Sequence, residues 1–113
     1  MLDVNRLRDE FDIDAKAGLA RCMGNAAFFA RMLSLALKNV AFDKLETSLA
    51  AGDYETSFEY CHALKGVVGN LAIDKIYNPI SEMTEQLRRK EDRDYVAMYK
   101  PIKELRDRLV AEL

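Results

Sequence analysis

Histidine, cysteine, proline and glycine are all scarce in this 113-residue chain, with one, two, two and five copies. A single histidine, His62, rules out catalytic and metal-binding designs that need two imidazoles. Two cysteines, Cys22 and Cys61, make neither a disulfide framework nor a zinc cluster. No apolar run approaches the roughly 20 residues of a membrane span. The start, Met1-Leu2-Asp3-Val4-Asn5-Arg6, has no signal-peptide core. No membrane contact is therefore expected, and the cytoplasm is the expected location. A basic excess is missing too: 17 Lys and Arg stand against 19 Asp and Glu, a formal charge of −2. A protein that neutralises phosphate backbones normally carries the opposite balance, so no nucleic-acid partner is expected.

What is present describes a folded globule. Half of the residues are hydrophobic and 32% are charged, and the length fits one domain, 1–113. Met1 and a compact end favour a free-standing protein. The apolar spacing is helical nearly everywhere, with no convincing run of strict alternation, so no strand is expected. A short helix is predicted over about Asp3 to Phe11. A second runs from Ala15 to about Cys22, capped by Asp14 and stopped by Gly24. Asn25 caps an apolar helix reaching Lys38 or Asn39. Another spans Ala41 to Ala51 and ends at Gly52, and Asp53 caps the next, from Tyr54 to about Asn70.

The following segment, Ile73 to Lys90, is interrupted by Asn78-Pro79, so its helix either starts there or kinks. Arg88, Arg89 and Lys90 suit its C-terminal end, where the helix dipole favours cations. In the last segment, Arg93 to Glu112, Pro101 implies a bend or a break. The expected fold is all-α: an antiparallel four-helix bundle with one or two short additional N-terminal helices.

The segment from Tyr54 to Asn70 carries the chemistry. On a 3.6-residue wheel, Phe58, Cys61, Leu64, Val68 and Leu71 form one stripe, the natural core face. His62, Gly66 and Gly69 fall together roughly 120–130° away, so the imidazole is expected to point outward. Lys65 lies at the edge of that face toward the core, and Glu55 and Glu59 flank it. Gly18, Gly24 and Gly52 fall at or near predicted helix boundaries, where glycine costs little. Gly66 and Gly69 lie inside a helix, where each costs about 1 kcal/mol relative to alanine.

Their absent side chains would leave a shallow floor beside His62. The alternative is that they admit a neighbouring helix, or that Gly69 begins to end this one. Lys65, at i+3 from His62, can reach an anion attached to the ring; taken alone, it reads as a solvated lysine. Neutral imidazole is a competent nucleophile, and a phosphoryl group on it would bring negative charge for Lys65 to stabilise.

The run His62-Ala63-Leu64-Lys65-Gly66-Val67-Val68-Gly69-Asn70-Leu71-Ala72 resembles the signature of histidine-containing phosphotransfer (HPt) domains. The family pattern is His-x-Leu-Lys-Gly, then a small residue, Asn-Leu and usually Gly. Weaker similarity lies in Gly18-Leu19, Gly24-Asn25 and Gly52-Asp53, so that the likeness spans about Ile13 to the C-terminus. The departures are Ala72 where glycine is common, Cys61 where alanine often precedes the histidine, and Asn78-Pro79 in the next helix.

The resemblance implies that His62 accepts a phosphoryl group, that Lys65 supports it and that Gly66 keeps access open. It implies response-regulator receiver domains and a hybrid histidine kinase as partners. It also implies a phosphocarrier, not a free-standing enzyme, with no cofactor of its own and Mg²⁺ supplied by the receiver. A monomer is expected. A helical adaptor that binds a kinase or regulator without taking phosphate is the alternative.

Other constellations are weaker. Glu59-x-x-His62 is formally half of a di-iron motif, but one histidine cannot supply the second half. Cys61 lies on the core stripe while His62 faces out, which argues against zinc. Neither a nucleophile elbow nor a papain-like sequence accompanies His62, and no glycine-rich phosphate loop is present, so ATP is not an expected ligand.

The helix after Asn25 is unusual in its apolar arc of about 200°, with Phe28, Met32 and Leu35 on one side and Phe29, Leu33, Leu37 and Val40 on another. The favoured expectation is a helix wedged deeply between others. The functional expectation is that Phe28 and Met32 stay accessible as a docking patch beside the histidine face, together with Glu59, Gly66 and Gly69.

Overall fold

The computed structural model describes residues 4–11, 13–71 and 73–113. Among them every regular element is helical: α1 (Val4–Phe11), α2 (Ala15–Arg21), α3 (Ala26–Leu37), α4 (Ala41–Ala50), α5 (Tyr54–Gly69), α6 (Asp74–Arg88) and α7 (Tyr95–Glu112). Asp3, the expected start of the first helix, lies outside the described residues, as does Ala72.

The caps explain where the elements begin. The Asp14 carboxylate accepts the Ala17 N–H at 3.0 Å, and the Asn25 side-chain oxygen accepts the Phe28 N–H at 3.0 Å. Each satisfies a donor that the first helical turn leaves without an intrahelical partner. Between α4 and α5 the chain turns through Gly52 at φ +71°, a conformation that a Cβ disfavours.

Helices α4, α5, α6 and α7 form a closed ring of contacts, each against the next and α7 returning to α4. Helix α3 rests on α5 and α7, α2 on α3, and α1 on α2. Phe29, Leu45, Leu64, Ile76, Ile80 and Met83 are fully buried between them. Burial of apolar side chains is the main favourable term in such an assembly.

Polar ties fix the long-range arrangement. The buried Tyr99 hydroxyl donates to the Phe42 carbonyl at 2.8 Å, and Arg106 Nε reaches from α7 to the Leu37 carbonyl at 2.6 Å, at the end of α3. The chain fills an elongated volume of 41 × 22 × 21 Å. Among the described residues, no helix is long and apolar enough to cross a membrane.

Of the expectations at the two prolines, a helix start at Asn78-Pro79 and a break at Pro101 need correction. Helix α6 begins at Asp74, ahead of Asn78-Pro79, and α7 runs unbroken through Pro101. Proline removes the hydrogen bond to the carbonyl four residues earlier, at Lys75 and Ala97. Both of those residues are exposed, so solvent can take the orphaned carbonyls and packing elsewhere on each helix holds it together.

Candidate functional site

The site is built from the first residue of α5 onward. The Asp53 carboxylate accepts the Thr56 N–H at 3.2 Å and sets the register of everything that follows. The Thr56 hydroxyl and N–H also hold this carboxyl below the usual range. Ser57, Cys61, Leu64 and Val68 then turn inward. Ser57 donates to the Asp53 carbonyl at 2.8 Å and pairs with the Ser48 hydroxyl at 2.7 Å, so its burial leaves no stranded polar atom. Burial pushes the Cys61 thiol up to about 12, against relief from the Thr84 hydroxyl. With that face sealed, His62, Glu59 and Gly66 come out on the exposed side of the helix.

Phe58 departs from its expected place in the core stripe. It is half-buried, and its ring stacks on the His62 imidazole with centroids 5.9 Å apart and planes 19° apart. The Arg88 guanidinium, at the end of α6, lies 5.3 Å from the centroid of the same phenyl ring. The wheel gives angles only. Ser57 takes the inward position at this level, and Phe58 is left to lie across the edge of the helix.

Lys65 is half-buried and, with Gly66 and Gly69, lines a cleft of about 620 Å³ whose other walls include Arg21 from α2 and Asp74 and Tyr77 from α6. Arg21 Nη1 donates to the Gly69 carbonyl at 3.1 Å, tying α2 to the end of α5. The two helical glycines differ. A Cβ on Gly66 would meet nothing within 4 Å, so this position is open floor. A Cβ on Gly69 would lie 3.1 Å from Tyr77 Cε2, so the close-packing alternative describes that glycine. Gly18, expected near a helix boundary, is instead buried inside α2, where the Phe29 ring occupies the space of a side chain.

On α3 the deep-wedge expectation is corrected. Phe29, Leu33 and Leu37 are buried, but Phe28 and Leu35 keep 42% and 59% of their surface accessible, and Met32 is half-buried. Phe28 and Met32 are not among the walls of the Lys65 cleft, although α3 packs on α5.

Among the residues that sequence reasoning did not bring to the site are Arg21, Tyr77 and Arg88, with Phe58 as a ring partner. Phe58 had a local signal, being four residues before His62 on a helix. The other three arrive from α2 and α6, and no spacing within α5 announces them.

The exposed imidazole can act as a nucleophile toward an electrophile brought from outside, with the Lys65 ammonium three residues along the same helix. Among the described residues no group of three or more His, Cys, Asp and Glu side chains is placed to hold a metal ion. The chain matches no family model, no curated protein and no solved structure.

Proposed function

We propose that this chain is a histidine phosphotransfer protein, with α4 to α7 forming an antiparallel four-helix bundle that presents His62. In this reading a ring nitrogen of His62 attacks the phosphorus of an aspartyl phosphate on a receiver domain. The P–O bond to the aspartate breaks, an N–P bond forms, and the carboxylate leaves. The phosphohistidine then passes the group to the aspartate of a second receiver. In the same reading Lys65, three residues along the helix, offsets the added charge with its ammonium.

Receiver domains and a hybrid kinase are the proposed partners, Mg²⁺ is supplied by the receiver, and the cytoplasm is the proposed location. The chain acts as a phosphocarrier, and the catalytic electrostatics belong to the partner. Phe28 and Met32 on α3 offer apolar area for a transient interface of modest size.

The observation that carries the proposal is the exposed, solitary imidazole with open space at Gly66 one turn away. The test incubates the protein with a phosphorylated receiver domain and Mg²⁺ and follows acid-labile, alkali-stable label. Wild type should take label, His62→Gln none, and Gly66→Leu little, although its fold is retained. Binding of the receiver without any transfer to wild type would favour the adaptor reading. Undiminished transfer to Gly66→Leu would remove the role assigned to the open floor.

A further inference from the structure

We infer that Phe58 is a positioning residue for His62 and that Arg88 holds Phe58 in place from α6. The inference rests on the reading of His62 as a phosphoryl acceptor. An exposed histidine on a helix can exchange between side-chain rotamers, and only some of them aim a ring nitrogen at an incoming group. Phe58 sits at i−4, where helix geometry stacks one side chain over the other. Its ring lies nearly parallel to the imidazole, at 19° and 5.9 Å between centroids.

The phenyl ring is itself constrained. It is half-buried against the core, and the Arg88 guanidinium lies 5.3 Å from its centroid, within the roughly 6 Å reach of a cation–π contact. Glu85 Oε1, 3.5 Å from Arg88 Nη2, steadies the guanidinium on its own helix. Arg88 therefore does more than complement the dipole at the end of α6. Through Phe58 it links that helix to the orientation of the imidazole. A reacting nitrogen held in an attack-competent direction reaches the transition state more often than one that samples several directions.

The test uses potassium phosphoramidate, a small donor that needs no partner protein. Its P–N bond breaks as the imidazole N–P bond forms, and ammonia leaves. Labelling rates at several donor concentrations are compared for wild type, Phe58→Leu, Phe58→Tyr and Arg88→Gln, alongside the NMR shifts of the His62 ring protons.

Phe58→Leu keeps apolar bulk but has no ring. It should lose the ring-current shift and label about 3- to 10-fold more slowly, at an unchanged half-saturating donor concentration. Phe58→Tyr should restore both quantities, and Arg88→Gln should slow labelling about twofold. A purely structural role would move neither the rate at saturation nor its recovery with tyrosine. Labelled wild type and an equally fast, folded Phe58→Leu would overturn the positioning role alone. Absence of label on wild type would remove the acceptor reading, and the inference with it.

Discussion

Gly66 and Gly18 both lie inside helices, yet alanine should act on them with opposite sign. Glycine in a helix interior costs about 0.5–1 kcal/mol relative to alanine, through the extra backbone freedom lost on folding. At Gly66 that gain comes unopposed, since an added Cβ would meet nothing within 4 Å. Gly66→Ala should therefore stabilise the protein by up to about 1 kcal/mol, raising Tm by about 4 °C for a chain of this length.

At Gly18 the Cβ would fall 2.5 Å from Phe29 Cε1 and 2.7 Å from Cζ. Phe29 is fully buried and cannot swing away into solvent. Overpacking of this kind costs about 1–3 kcal/mol, which exceeds the propensity gain. The expected net loss is about 1–2 kcal/mol, and Tm should fall by about 4–8 °C. Gly69→Ala should lie between the two, because Tyr77 Cε2 is 3.1 Å from the new Cβ on a half-buried ring that has some room to give.

Urea and thermal unfolding followed by circular dichroism measure all three, with equal m-values as the check that the surface exposed on unfolding is unchanged. Shifts of the same sign for Gly66→Ala and Gly18→Ala would refute the reasoning. They would mean either that the α5 floor is covered or that Phe29 does not rest on α2.

Two further predictions concern the core. Cys61 is buried with its thiol pushed up to about 12, so it should resist thiol reagents at pH 8 and react once the chain is denatured. The unfolded thiol ionises first on the way up, so the protein should lose stability from about pH 9 toward pH 12, and Cys61→Ala should flatten that alkaline limb in urea titrations. An unchanged limb would show that other groups set it. Tyr99→Phe removes a second donor from the Phe42 carbonyl, which keeps its helical partner inside α4, so the cost is that of one lost buried hydrogen bond, about 0.5–1.5 kcal/mol, which urea unfolding would register. No measurable loss would mean that the Tyr99 hydroxyl adds nothing net to the native state.

What could be read from the residues in advance follows the range of the physics behind each feature. Asp14, Asn25 and Asp53 were legible as caps because a cap is settled within three residues. The outward turn of His62 was legible too, since the register set at Asp53 runs undisturbed to it. As helix boundaries Pro79 and Pro101 misled, because the penalty for a missing N–H depends on whether the orphaned carbonyl reaches solvent, and that is decided by which face packs.

Gly18 misled for the complementary reason: Phe29, the side chain that requires it, sits on another helix. The apolar arc of α3 shows the same limit most clearly. Its width is a local property, whereas being wedged requires neighbours on every side. Helix α3 has α2, α5 and α7 beside it, and Phe28 and Leu35 still remain accessible. The Arg88–Phe58 contact spans 30 residues and depends on how α5 and α6 pack. The exposed imidazole can therefore be identified from its own helix, while the groups that surround it are set by packing between helices.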